Sequence, residues 1–370
     1  MSPSSTCPPV PAGSLVLVTA SNSLVGTHIV DALLSAGYRV RGMVRNATPN
    51  AWMSERLNGK TTSKPSDGIS PFYHDRRFEL FEISDLTSTE GWKSALSGGV
   101  AAIAHVFSAT ETQTQDFKAA AAAEMPAHTA LLTAAAQTTT VQSVAFTSST
   151  WAAFTPEAGL ERRMHEWSWN EPAVKLATGL TTKLVSGEDI RDEASPHALF
   201  FAQYMALKVE VEKQVWAFVG KNQLPFTFNS ILLDTVMGAT LQPHELGMPS
   251  TAGMVKWAFD GQHPEVLGVM EPQWCVDTQD VGMLFAGVLS AGKTISGERL
   301  WACGDRYSWA QVMKILQNLI PERAGWMQLP DLGTDRTEVP NGRAEDILKS
   351  IKGSGWTDLE EMVQRGAGCF

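Results

Sequence analysis

The chain reads as an α/β protein built on a doubly wound parallel sheet, with a smaller C-terminal substrate-binding domain. Three observations predict this. Apolar strand-like runs alternate with helical patterns through the first half, a strand turns directly into a helix at residues 15–26, and a long irregular stretch precedes a late helix carrying Tyr204 and Lys208. Strands joined by helical crossovers run parallel, and right-handed crossovers wind them into one sheet covered on both faces.

Each element has a local cause. Leu15–Thr19 is an apolar strand, residues 24–36 form a helix stopped by Gly37, and Arg39–Val44 closes the first βαβ unit. Residues 78–83 predict a third strand, 92–96 a helix, 101–107 a fourth strand, the Ala-rich Phe117–Ala136 a long helix, and 141–147 a fifth strand. Residues 151–202 break this rhythm with Trp, Pro, Glu and Arg. A connection of that length carries function, so it is expected to be partly helical and close to the substrate. The helix holding Tyr204 then runs to Val219, and 226–233 is another strand. The domains follow from this order: a loose Ser- and Pro-rich tail over 1–13, a dinucleotide-binding unit over 14–233 with the insertion 151–202, and a smaller domain over 234–370 capping the sheet's C-terminal edge.

Composition narrows the class. Hydrophobic residues make up 44% and charged residues 18% of 370, enough to bury a large core. The net charge of -10 argues against a nucleic-acid partner, because phosphate contacts need a basic face. No run of about 18 apolar residues occurs and no basic-then-apolar leader opens the chain, so a soluble cytoplasmic protein with no membrane partner is expected. Cys7, Cys275, Cys303 and Cys369 are scattered, which disfavours both a disulfide framework and a metal site. Monomer and homodimer both stay open.

The chemistry begins at the first turn. Free backbone N–H groups at a helix start, with the helix dipole behind them, bind a pyrophosphate, which makes Ala20, Ser21, Asn22, Ser23, Leu24, Val25 and Gly26 candidate cofactor residues. An ordinary βα turn capped by Ser and Asn is the competing reading. Arg45 ends the second strand, where an acid would hold a ribose 2′-hydroxyl; a guanidinium there forks onto a 2′-phosphate and points to NADP(H). Tyr204 and Lys208, four residues apart, share one helical face, and the ammonium favours the phenolate. An amphipathic helix with a half-buried Tyr and a snorkelling Lys has the same spacing.

Phe146-Thr-Ser-Ser149 ends the fifth strand ahead of that Tyr and Lys. With it the chain resembles the dihydroflavonol-4-reductase-like branch of the extended short-chain dehydrogenases/reductases, especially its fungal ketone and aldehyde reductases. The turn is similar to that family's Thr-Gly-x-x-Gly-x-x-Gly, keeping Gly26 but placing Ala20 and Ser23 at the other two glycines. Further blocks extend the likeness: Ala104-His-Val-Phe-Ser108, Trp167-Ser-Trp-Asn170, Val276-Asp-Thr-Gln-Asp280 and Gly297-Glu-Arg-Leu-Trp301. The resemblance implies a Rossmann domain binding NADPH along the sheet edge. It puts Asp85 on the adenine amino group beside Leu86, Phe107 and Ser108 on the dinucleotide path, and Leu233 (where the family usually has Pro) and Val236 near the nicotinamide amide. By the same likeness Ser149 is the catalytic serine, Tyr204 the proton donor, and Lys208 the holder of the ribose hydroxyls.

The activity expected is reduction of a ketone or aldehyde on a bulky, apolar small molecule, such as an intermediate of specialised metabolism. The size rests on Trp151, Trp167, Trp169 and Phe200, aromatics that could equally be core. Two alternatives stand beside it: a non-redox isomerase, cyclase or lyase on the same fold, and a catalytically silent NADPH-binding regulatory protein.

Overall fold

Leu15, Val16, Leu17 and Val18 are all buried, and the strand they form, β1 (Leu15–Thr19), is covered on both faces. A continuous apolar run is what a central parallel strand needs. The structure, a computed structural model, describes residues 9–58, 77–108, 114–186 and 196–370. Next along the chain come β2 (Arg39–Val44), β3 (Phe78–Glu82), β4 (Val100–His105), β5 (Ser143–Ser149) and the short β6 (Glu161–Arg163). They are followed by β7 (Thr227–Leu233), β8 (Thr235–Met237), β9 (Gln273–Asp277), β10 (Arg299–Ala302), β11 (Asp305–Tyr307) and β12 (Arg336–Glu338).

Among the described residues the central sheet has seven strands in the order β10-β7-β5-β4-β1-β2-β3, every neighbouring pair parallel. The chain winds outward from β1 to β3 and then restarts at β4, so the order reverses between β1 and β4. A crevice opens at such a switch point, outside the carboxyl ends of the strands.

Alternation along β1 sorts the two cores. Val16 and Val18 face the helices Leu24–Ser35 and Thr278–Ser290, while Leu15 and Leu17 face the helices Thr89–Ala95, Phe117–Ala136 and Pro196–Asn222. The remaining part is a three-stranded sheet, β11-β9-β8, covered by the helices Thr251–Asp260, Trp309–Leu319 and Leu359–Ala367, with β12 and β6 forming a separate parallel pair.

Two boundaries differ from expectation. The helix Thr278–Ser290 and strand β10 belong to the central sheet and its covering layer, so a second domain over 234–370 is interrupted where the chain returns to pair β10 with β7. Of the tail expected over 1–13, residues 1–8 lie outside the described residues, whereas Val10 is buried, donates its N–H to Ser290 and accepts from the Tyr38 hydroxyl. Burying Val10 and satisfying both its backbone groups ties this segment to the sheet layer. Within the insertion, Glu171–Ser186 is helical, residues 187–195 lie outside the described residues, and the Tyr204 helix spans Pro196–Asn222. No helix among the described residues is long and apolar enough to cross a membrane.

Candidate active site

The turn after β1 takes the shape that glycines usually supply. Ala20 has φ +47°, in the left-handed region, and its carbonyl accepts from the Ser23 N–H at 3.0 Å. A Cβ on Gly26 would lie 2.1 Å from the Ala20 oxygen, so that position admits only glycine without movement. Ser23 is the helix N-cap: its Oγ accepts from the Gly26 N–H at 2.9 Å and its carbonyl from the Thr27 N–H at 2.9 Å. The first N–H groups of a helix have no acceptor within it, which leaves those of Leu24 and Val25 at the helix start for an anion.

A crevice of about 480 Å³ lies above this turn, lined by Ala20, Asn22, Ser23, Arg45, Leu86, Phe107 and Ser108 together with Asn46 and Asn50. Asn22 donates to the Asn50 side chain at 3.0 Å, a contact the sequence reading did not foresee. Nine expected cofactor residues are not in its lining: Ser21, Leu24, Val25, Gly26, Asp85, Tyr204, Lys208, Leu233 and Val236. Ser21 is fully buried and its hydroxyl turns inward to the Met43 carbonyl at 3.3 Å. Asp85 is exposed and accepts from the Thr87 backbone and hydroxyl at 2.9 and 2.7 Å, bonds that lower its carboxyl below the ordinary range. Leu233 and Val236 are buried in the sheet's core. Arg41 is a structural residue, donating to the carbonyls of Ala95 and Ser97 at 2.6 and 2.8 Å and pairing with Glu79.

Ser149 ends β5 in register with Leu233 of β7 and points away from its neighbour. Ser148 donates instead to Glu212 at 2.8 Å on the opposite face, as strand alternation requires. Ser149 and Tyr204 line one cavity of about 810 Å³. Lys208, one turn below Tyr204, places its ammonium 5.4 Å from the phenol ring centre and lines a smaller space of about 40 Å³ with Phe107, Ser108 and Ser148. That space shares Val106, Phe107 and Ser108 with the crevice above the first turn.

The walls of the large cavity are mostly apolar: Trp151, Leu199, Phe200, Phe201, Met254, Trp257 and Met270. Trp151 stands edge-on to Tyr204 at 5.7 Å and to Phe201 at 5.5 Å, and its indole N–H donates to Gln273 at 2.7 Å. Of the aromatics expected to shape the substrate, Trp151 and Phe200 are here. Trp167 and Trp169 are not; the Arg299 guanidinium lies 5.9 and 4.0 Å from their rings, so they pack around a buried cation. Asp234, which the sequence reading passed over, lines the cavity beside Ser149. A single acid after a strand carries no signal in sequence.

Relatives decide the family. Aldehyde reductase 2 of Sporidiobolus salmonicolor is 30% identical over 358 residues, spanning 96% of this chain and 95% of its own, and ketoreductase adrE of Penicillium roqueforti is 32% identical over 362 residues, 96% of each. The model of the NAD dependent epimerase/dehydratase family matches residues 16–172. The chain belongs to this extended short-chain dehydrogenase/reductase family. Among solved structures, yeast methylglyoxal/isovaleraldehyde reductase Gre2, complexed with NADPH, superposes with a TM-score of 0.71 at 18% identity, covering 96% of this chain and 97% of its own. Gre2 of Candida albicans, also solved with NADPH, gives 0.73 at 16% identity, covering 96% and 98%.

Proposed function

We propose that this protein is an NADPH-dependent reductase of a ketone or aldehyde carried on a bulky, largely apolar small molecule. One observation carries the reading: Ser149 and Tyr204 open onto the same aromatic-walled cavity of about 810 Å³, with Lys208 one turn behind at the side of the dinucleotide crevice. The named relatives, an aldehyde reductase and a ketoreductase, support it.

The crevice suits the cofactor. The left-handed Ala20, the close-packed Gly26 and the N–H groups of Leu24 and Val25 would hold the pyrophosphate, and Arg45 a 2′-phosphate. When bound, NADPH supplies the hydride. Ser149 donates a hydrogen bond to the substrate carbonyl oxygen, while its own Oγ is steadied by the Trp151 N–H at 3.2 Å. Tyr204 gives its proton to the oxygen as negative charge develops there, and the Lys208 ammonium stabilises the phenolate left behind. The apolar walls keep water from the reacting carbonyl and accept a bulky apolar body; its place in specialised metabolism belongs to this reading.

The test is Tyr204→Phe, followed by stopped-flow loss of NADPH absorbance with a panel of bulky ketones. Turnover should fall by about 100-fold or more while NADPH binding, read from Trp fluorescence, stays close to wild type. Tight NADPH binding by the wild type with no oxidation by any carbonyl would refute the reductase and favour a non-redox or regulatory role.

A further inference from the structure

Asp234 follows β7 directly, so it stands on the same sheet edge as Ser149, whose register partner is Leu233. Its carboxyl is buried yet lines the substrate cavity. Oδ2 accepts from the Thr150 hydroxyl at 2.5 Å and Oδ1 from the Thr235 N–H at 2.8 Å. Thr235 continues the chain of contacts to the Tyr307 hydroxyl at 3.1 Å, which accepts from Gln273 at 3.1 Å, the residue that also holds Trp151. Asp234 is therefore rigidly placed, by the same polar network that fixes the wall beside Tyr204.

A buried carboxyl among neutral donors is a costly way to hold a loop, since a neutral amide could bond the same backbone N–H and threonine hydroxyl, accepting from one and donating to the other, without burying an ionisable group. Oδ1 also accepts from the Thr235 hydroxyl at 3.5 Å, whereas Oδ2 keeps a second acceptor site beyond the one Thr150 uses. In a cavity with mostly apolar walls, a convergent polar group of this kind orients a ligand. Neighbouring parallel strands lie about 4.8 Å apart, so groups presented by Ser149 and Asp234 reach oxygens on nearby carbons of one molecule.

Building on the reductase reading, we propose that Asp234 is a specificity-determining residue that hydrogen-bonds a second oxygen of the substrate, close to the reducible carbonyl. The substrate class is then an oxygenated ketone, such as a β-hydroxyketone or the enol of a β-diketone. Burial raises the Asp234 carboxyl to about 7, further helped by the nearby Asp335, so near neutrality it can either donate to a carbonyl or accept from a hydroxyl.

The test compares a bulky aryl ketone with its β-hydroxy counterpart on the wild type, Asp234→Asn and Asp234→Leu. For the wild type, kcat/KM should favour the hydroxylated ketone by at least about tenfold, carried mainly by KM, and the ratio should fall toward one in Asp234→Leu. Asp234→Asn, which keeps the shape, whose amide oxygen can still accept from the Thr235 N–H and whose NH2 can donate to the Thr150 hydroxyl, should lose at least half of the preference in logarithmic terms; it decides the matter should the Leu variant fail to fold. A ratio near one in the wild type, or an unchanged ratio in both variants, overturns the assignment. Failure of the reductase reading would look different: neither ketone would oxidise NADPH, and the ratio of their dissociation constants in the NADPH complex, read from Trp fluorescence, would still decide the role of Asp234.

Discussion

Gly26→Ala attacks the turn at its tightest point. The added Cβ would sit 2.1 Å from the Ala20 carbonyl oxygen and 2.9 Å from the Ser23 hydroxyl. Reaching an ordinary contact of 3.4 Å from 2.1 Å demands a shift of 1.3 Å between two backbone segments. The helix cannot simply retreat, because Gly282 of the helix Thr278–Ser290 already sits where a Cβ would lie 2.4 Å from the His28 carbonyl, leaving no slack behind Leu24–Ser35. The turn therefore moves, and with it the N–H groups of Leu24 and Val25. Alanine favours a helix over glycine by about 1 kcal/mol, while overpacking costs about 1–3 kcal/mol, so global stability should change by at most about 2 kcal/mol. Binding suffers more. Two misplaced hydrogen bonds to a charged phosphate, at about 1.5–3 kcal/mol each, predict NADPH affinity weaker by at least about 100-fold. A fluorescence titration with NADPH, run beside a thermal melt of the free protein, separates the effects. A dissociation constant within about threefold of the wild type would refute the argument that close approach at this turn dictates glycine.

Arg45→Ala should weaken NADPH by about tenfold or more while leaving NADH nearly unchanged, measured by the same titration; equal losses for both cofactors would remove the 2′-phosphate role. Arg299→Met should destabilise the fold by about 3–5 kcal/mol, since it strands Glu212, the buried carboxylate it holds at 2.9 Å through two N–H groups, and adding Glu212→Leu should recover part of the loss in a denaturant melt. Stability should also carry an acid-side signature with a definite sign. Burial raises Asp234 to about 7 and Asp277 to about 6, so these groups favour the folded state at low pH and that contribution is lost as pH rises through those values. Burial lowers His28 to about 4, so its contribution is present above the ordinary histidine range and lost as pH falls toward 4. Asp234→Asn should therefore gain stability over the wild type, on the order of 4 kcal/mol at most, near pH 8 but not near pH 4, in melts followed against pH.

Much of the sheet was legible because buried parallel strands are mostly apolar: β1, β2, β4, β5 and β7 all read directly from residues such as Leu15–Thr19 and Thr227–Leu233. Strand β10 escaped notice for the opposite reason. It is four residues long and opens with Arg299, a charge tolerated in the core only because Glu212, distant in sequence, neutralises it. The same pair explains why Trp167 and Trp169 could be read either way: an aromatic cluster looks alike in sequence whether it surrounds a ligand or a buried guanidinium. At the turn, the pattern of small residues was visible but not the outcome, since neither the left-handed backbone of Ala20 nor the inward rotation of Ser21 follows from residue type. Asp234 was invisible because its meaning comes from Ser149, at the end of a neighbouring strand, and Thr150, just beyond it.

Glu212 connects these features to the chemistry. It lies on the helix Pro196–Asn222 two turns beyond Tyr204 and one beyond Lys208, at spacings of four that keep all three on one face. Its carboxylate accepts from Ser148 of β5 at 2.8 Å, from Ser230 of β7 at 2.8 Å and from Arg299 of β10 at 2.9 Å. One buried group thus bolts the helix to three adjacent strands. A helix so held cannot slide by a residue without breaking all of these bonds, and a slide of one residue would carry Tyr204 about 1.5 Å along its axis. Ser148 and Ser149 divide the work by strand alternation: the first locks the helix in place, and the second faces the cavity that Tyr204 of the same helix must reach. The alignment of a strand-borne hydroxyl with a helix-borne phenol is therefore set from below the sheet edge, in the dry core, where a charge with all its partners gives up the most on moving.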